Sequence, residues 1–200
     1  MIVGIYLAAG KSKRMGTAKL ELPLNGKSLG SLALEVAIGS RIDKVLVITK
    51  EDDPLTWVDS SLTETPLQQK WNHVLCKNAG TGQSASLQCG VRAAMKLEAT
   101  AVIVILADQP YITTGLLNQL IDTYKENKAP YVASVFKGIM KPPILIDASL
   151  FTKIFALKGD EGARRLFSNG LLGIKIEHDD DKLFFDVDTP IDYKKIRDMS

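Results

Sequence analysis

The sequence has 200 residues, 46% of them hydrophobic and 24% charged, with 25 Lys and Arg against 23 Asp and Glu. These proportions exclude an extensively disordered chain, and a formal net charge of +2 gives no electrostatic footprint for DNA, RNA or an anionic membrane surface. No apolar run approaches the roughly 20 residues of a spanning helix and no basic region precedes the apolar start, so one cytoplasmic domain over residues 1–200 is expected.

In chain order, the β-branched run Ile2–Leu7 reads as a strand and leads directly into "LAAGKSKRMG", residues Leu7 to Gly16. Leu29, Leu32, Ala33, Val36 and Ala37 then share one helical face. Val45–Thr49 and Val74–Cys76 read as further strands, and Leu87, Val91, Ala94 and Met95 mark a second helix. The uninterrupted apolar run Ala101–Leu106 has the character of a central strand buried on both faces, and it stops abruptly at Asp108. A third helix begins at Thr113 or Thr114 and carries Leu116, Leu117, Leu120, Ile121 and Tyr124.

Tyr131–Phe136 is a further predicted strand, after which the pattern loosens through "KGIMKPPILI". A short helix from Ser149 to Phe155 follows, then "KGDEGARRLF" and a hairpin-like segment "IKIEHDDDKLFFDVDTP" whose first strand is Ile174–Ile176. A last helix starts near Pro190, with Asp188 or Thr189 as its cap. Alternation of short strands with helices predicts an α/β sandwich with a mostly parallel sheet, because each parallel pair needs a crossover that a helix supplies.

The opening loop is neither GxxxxGK[ST] nor GxGxxG. Its physics is nonetheless that of an anion site: Ala8, Ala9 and Gly10 hold nothing away from the backbone, successive N–H groups can form a nest, and Lys11, Lys13, Arg14 and Lys19 supply charge. A solvated basic turn is the competing interpretation. Asp108 is either a turn residue or a magnesium ligand, since Mg²⁺ takes one or two carboxylates plus substrate phosphates. Asp186 and Asp188, two residues apart, would offer a second carboxylate from one face of an extended segment. Cys76 and Cys89 are expected as reduced thiols, His73 and His178 lack zinc-ligand spacing, "EHDDDK" reads as a solvated turn, and Trp57 and Trp71 read as packing residues.

The motifs "LAAGKSKRMG" with Lys19, "GTGQSASLQCG", "LADQP", "GDEGAR" and "DVDTPIDY", in this order over nearly the full chain, resemble the molybdenum cofactor cytidylyltransferases. These are part of a wider nucleotidyltransferase group. The resemblance implies a Rossmann-like three-layer sandwich of the nucleotide-diphospho-sugar transferase type, with CTP and molybdopterin as substrates and Mg²⁺ as cofactor. It also implies that Leu7, Ala8, Ala9, Gly10, Lys11, Arg14, Lys19, Gly82 and Ser84 handle the nucleotide, with Arg14 and Lys19 on its phosphates. Asp108 and Asp188 would hold Mg²⁺ and, with Arg14 and Lys19, form the catalytic set, while Gln109, Asp160 and Arg164 would lie toward the acceptor. Ala9 favours CTP, because cytidylyl members read LAAG where guanylyl members read LAGG.

One departure stands out: these cytidylyltransferases commonly read a small residue, then His and Pro, where this chain has Met140-Lys141-Pro142-Pro143. The expected reaction is attack by an acceptor phosphate on the α-phosphorus of CTP, with pyrophosphate released. The alternatives are a sugar or polyol phosphate as acceptor, or a non-catalytic protein that delivers the cofactor to a molybdenum hydroxylase apoenzyme.

Overall fold

Alternating side chains of the first strand divide the interior into two layers. In β1 (Ile2–Leu7), Ile2 and Tyr6 enter one hydrophobic cluster, and Val3 and Ile5 enter another. The computed structural model describes residues 1–10, 12, 14–167 and 170–199.

After the opening loop, β2 (Pro23–Leu24) and β3 (Lys27–Ser28) form a small antiparallel ribbon ahead of α1 (Leu29–Gly39). Then come β4 (Lys44–Thr49), β5 (Trp71–Leu75), α2 (Gln83–Lys96), β6 (Ala101–Leu106) and α3 (Thr114–Asn127). The remainder comprises β7 (Tyr131–Phe136), β8 (Ile139–Asp147), α4 (Phe151–Ile154), β9 (Ile174–His178) and α5 (Pro190–Asp198). Seven strands make one sheet in the order β5-β4-β1-β6-β8-β7-β9, and β8 alone runs against its neighbours.

Helices cover both faces. Ala33, Leu34 and Ala37 of α1 share a cluster with Leu117, Leu120 and Ile121 of α3; Leu87, Val91 and Ala94 of α2 share the other with Phe151 and Ile154 of α4. In β6, Ala101, Ile103 and Ile105 face the first layer and Val102 and Val104 the second, as the unbroken apolar run requires. The mostly parallel three-layer arrangement expected from the sequence is therefore present. Thr113 caps α3, its Oγ1 accepting from Leu116 N at 3.1 Å.

Two expectations are corrected after residue 137. The loosened segment is a full strand: Lys137 and Gly138, both at positive φ, turn β7 into β8 as a two-residue hairpin. Its signal is hidden because the ladder jumps from Ser134↔Lys141 to Ala133↔Ile144, so Pro142 and Pro143 bulge out of the pairing and interrupt the alternation. Nor is the segment from residue 174 to 189 a hairpin. β9 pairs with β7 in parallel, and beyond it a 3₁₀ turn over Asp181–Phe184 buries Phe184 between Phe136 and His178.

Strand β5 begins three residues earlier than its expected start, at Trp71, and ends before Cys76. Both cysteines are free thiols, and both tryptophans are buried with indole N–H partners, Asp53 for Trp57 and the Leu62 carbonyl for Trp71. Among the described residues no helix is long and apolar enough to cross a membrane.

Candidate active site

Strands β1 and β6 lie side by side, with Leu7 opposite Leu106, and the chain steps outward from β1 in one direction before crossing to β6 on the other side. A crevice at the carboxyl ends of strands, where the strand order reverses, is the usual ligand position in such sheets. The opening loop and Asp108 both emerge there.

Lys19 is delivered to this crevice by a 3₁₀ turn, Lys19–Glu21, and is only 7% exposed. Its Nζ donates to Asp108 Oδ2 at 2.6 Å, to the Val187 carbonyl at 3.1 Å and to Asp188 Oδ1 at 3.2 Å. Burial alone would lower the pKa of this ammonium, but the two carboxylates outweigh it and hold the value above the ordinary lysine range. Arg14 Nη2 adds a second cation on Asp188, at 2.9 Å from Oδ2, from a largely exposed position.

Asp188 is placed from behind by the start of α5. Thr189 Oγ1 accepts from Asp192 N, while Asp192 Oδ2 accepts from the backbone N–H groups of Thr189 (2.9 Å) and Asp188 (3.3 Å), a capping box with Pro190 at the first helical position. Val187 N donates to the Asp108 carbonyl at 3.0 Å, which ties the two carboxylate-bearing segments together.

Two clefts meet at this cluster. One, of about 460 Å³, runs from Ala9, Gly10 and Arg14 to Gly82 at the head of α2; the other, of about 430 Å³, runs toward Lys141, Arg164 and Asp186. Leu7, Arg14, Gln83, Asp108, Asp160 and Asp188 border both. A further cavity of about 510 Å³ lies on the other side of the opening loop, against Lys50, Asp53 and Trp57, and neither Asp108 nor Asp188 lines it.

Most residues expected at the site converge here, with instructive exceptions. The Ala8 N–H donates to the Ile48 carbonyl at 2.9 Å, so it is already committed and not open to an anion. Lys11 and Lys13 lie outside the described residues. Gly82 lines the first cleft at φ +137°, and a Cβ there would stand 2.2 Å from the Gly159 oxygen, so only glycine fits. Ser84, expected on the nucleotide, is buried instead and donates to that same oxygen from both Oγ (2.8 Å) and N (3.0 Å), fastening α2 to the segment containing Asp160. Gln83 and Ser86, three residues and about one helical turn apart, line the cleft instead, which helical phase within "GQSAS" could have indicated.

Gln109, expected at the acceptor, is 1% exposed; its Nε2 donates to Asp186 Oδ1 at 2.8 Å and its Oε1 has no hydrogen-bond partner among the described residues. It supports Asp186 rather than reaching the cleft. Burial, then the negative charge of Asp108, raises the pKa of Asp186.

The donor set can be tested for a divalent cation. One positive charge, the Lys19 ammonium, already touches both Asp108 and Asp188, and these are hard oxygen donors, so the pair fits Mg²⁺ or Mn²⁺. Among the described residues no group of three or more His, Cys, Asp or Glu is arranged for a metal, so further ligands would come from water and substrate phosphate, as is usual for Mg²⁺.

Residues 4–179 match the MobA-like NTP transferase domain. The chain belongs to this family. Purine catabolism protein PucB of Bacillus subtilis (strain 168) is 40% identical over 199 residues, covering 98% of this chain and 96% of that protein. A probable molybdenum cofactor guanylyltransferase of Mycobacterium tuberculosis (strain ATCC 25177 / H37Ra) is 29% identical over 172 residues, covering 74% and 80% of the two chains. Among solved structures, Rv0371c from Mycobacterium tuberculosis H37Rv superposes with a TM-score of 0.79 at 24% identity, covering 98% of this chain and 97% of its own. A structure of Rv0371c in complex with manganese superposes with a TM-score of 0.72 at 20% identity, covering 100% and 99% of the chains. The Rossmann-like nucleotidyltransferase fold is thus common to this chain and its structural relatives.

Proposed function

We propose that this chain is a divalent-cation-dependent cytidylyltransferase that transfers CMP from CTP to the molybdenum cofactor, molybdopterin, and releases pyrophosphate. The observation that carries this reading is the placement of Asp108 and Asp188, both paired with Lys19, at the junction of two clefts, one bordered by the opening loop and the other by Lys141 and Arg164. A transfer between two substrates needs one reacting point accessible from both sides.

In this reading the first cleft holds the nucleotide, with Ala9, Gly10 and Gly82 admitting it closely and Arg14 and Lys19 neutralising its phosphates. The second cleft holds the acceptor against Asp160 and Arg164. No protein nucleophile is required, since positioning and charge neutralisation account for catalysis of phosphoryl-type transfer. Asp108 and Asp188 would hold the divalent cation, which when bound neutralises charge on the phosphate oxygens. The relative solved with manganese and the relatives named for molybdenum cofactor support the cation and the acceptor class. The purine catabolism name of the Bacillus subtilis relative suits a molybdenum hydroxylase as the recipient of the product.

CTP is preferred on the strength of Ala9, against GTP, which the names of the mycobacterial relatives favour. An assay of pyrophosphate release that crosses CTP, GTP, ATP and UTP with molybdopterin in the presence of Mg²⁺ tests both points. Release with CTP is the expected result; release with GTP alone would replace the cytidylyl reading, and nucleotide binding without release under any combination would favour the carrier alternative.

A further inference from the structure

The second cleft contains a cation that the nucleotide reading leaves unused. Lys141 lies at the bulge of β8, where Pro142 and Pro143 leave the ladder between Lys141 and Ile144 and the Ser134 hydroxyl donates to the Pro143 carbonyl at 2.9 Å. Bulges re-aim side chains. Here the result is that Lys141 and Pro142 both line the cleft that Asp108 and Asp188 border.

The ammonium of Lys141 is poorly served in this position. Its contacts among the described residues are the Phe184 carbonyl at 3.5 Å and Asp186 Oδ2 at 3.8 Å, both long for a charge-assisted bond, although the side chain is 28% exposed and has three protons to donate. Arg164 stands beside it, its Nη1 donating to the carbonyl of the preceding residue, Met140, at 3.5 Å. By contrast, Asp108 and Asp188 are already matched by Lys19 and Arg14. Two loosely held cations thus converge on one wall of a chamber that Asp108 and Asp188 also border.

We propose that Lys141, with Arg164 beside it, grips the phosphomonoester dianion of an acceptor held in the second cleft, so that Lys141 determines acceptor affinity. This inference rests on the transferase reading above. A dianion held there presents an unprotonated oxygen. That oxygen forms the new bond to the α-phosphorus as the bond from that phosphorus to the bridging oxygen breaks, and pyrophosphate leaves with the electron pair, without any proton transfer.

The test is calorimetric titration of inorganic phosphate into the chain saturated with Mg²⁺ and α,β-methylene CTP, which occupies the nucleotide cleft. The wild type should bind phosphate, Lys141→Met should bind it about tenfold more weakly or worse, and Lys141→Arg should remain within about threefold. Affinity for the CTP analogue and the thermal melting curve should be unchanged in Lys141→Met, which separates a lost contact from a lost fold. With molybdopterin as acceptor, the same variant should raise the acceptor KM about tenfold and leave kcat and the KM for CTP as they were. Wild-type phosphate affinity in Lys141→Met, or an unchanged acceptor KM, would overturn the inference while leaving the transferase reading standing. Phosphate binding that depends on Lys141 in a chain that releases no pyrophosphate with molybdopterin would support the inference and refer the transferase reading to another phosphomonoester.

Discussion

Lys19 Nζ lies 2.6 Å from Asp108 Oδ2, and the same ammonium reaches Asp188 Oδ1, so a single positive charge joins the two carboxylates expected to serve a metal. Removing either partner has different consequences. Asp108→Asn leaves Lys19 paired with Asp188 and the fold intact, but it removes one of the two carboxylates proposed to hold the divalent cation. Pyrophosphate release should fall by a factor corresponding to about 2.7–4 kcal/mol, measured at saturating CTP and Mg²⁺.

Lys19→Met instead leaves two neighbouring carboxylates without their shared cation. Stability should drop by about 2 kcal/mol in denaturant unfolding. Because a divalent cation can then take the place of the ammonium, Mn²⁺ should raise the Tm of Lys19→Met more than that of the wild type. The opposite ranking would show that Lys19 and the metal do not share these carboxylates.

The capping box offers a way to move Asp188 without touching it. Thr189→Ala removes the hydroxyl that accepts from Asp192 N, and loss of such a cap costs about 1 kcal/mol. Asp192→Ala also releases the N–H of Asp188. The expected pattern is comparable destabilisation in the two variants, with the larger loss of kcat in Asp192→Ala, as checked by paired unfolding and pyrophosphate assays.

The sequence made β1, β4, β6, β7 and the start of α5 legible because each has an undisturbed period or a cap with a chemical signature. It concealed β8 because Pro142 and Pro143 interrupt alternation at the bulge, where the missing backbone donors do no harm. The choice of Asp188 over Asp186 rests only on the family resemblance, whereas Asp108, Lys19 and Arg14 could be picked as candidates from residue type and order. The separate task of Ser84 could not, because it depends on a carbonyl 75 residues away. Gln109 shows the same limit: the family resemblance points it toward the acceptor, whereas its side chain is turned to Asp186.

Gly82, which lines the first cleft, packs against the Gly159 backbone next to Asp160. Alanine there would place Cβ 2.2 Å from the oxygen and 2.3 Å from the carbon of Gly159, at a φ of +137° that disfavours any side chain. Since both clashing atoms are backbone, the Asp160 segment must shift and the Ser84 bonds to Gly159 must loosen. Gly82→Ala should lose about 1–3 kcal/mol and raise the KM for CTP. Gly80→Ala, where a Cβ meets nothing within 4 Å, is the control and should behave as wild type in both measurements.

Outside the site, Tyr124 of α3 donates to Asp147 Oδ2 at 2.5 Å, pinning the helix to the end of β8. Burial tends to raise the pKa of Asp147, but hydrogen bonds from Ser149, Tyr124 and the backbone outweigh it and leave the value below the ordinary 3.8. Burial, followed by Asp147 itself, pushes the Tyr124 hydroxyl upward, so it remains a donor through neutral pH. A carboxyl whose folded pKa is depressed adds stability above its unfolded pKa, and that contribution disappears as pH falls through the unfolded and then the folded value. Asp147→Asn should therefore melt below the wild type at pH 7, with the gap narrowing as the pH is lowered past about 4. Tyr124→Phe should lose about 1 kcal/mol at pH 7 and show the same narrowing. Melting curves from pH 7 to pH 3 distinguish this from simple loss of packing, which would keep the gap constant across the range.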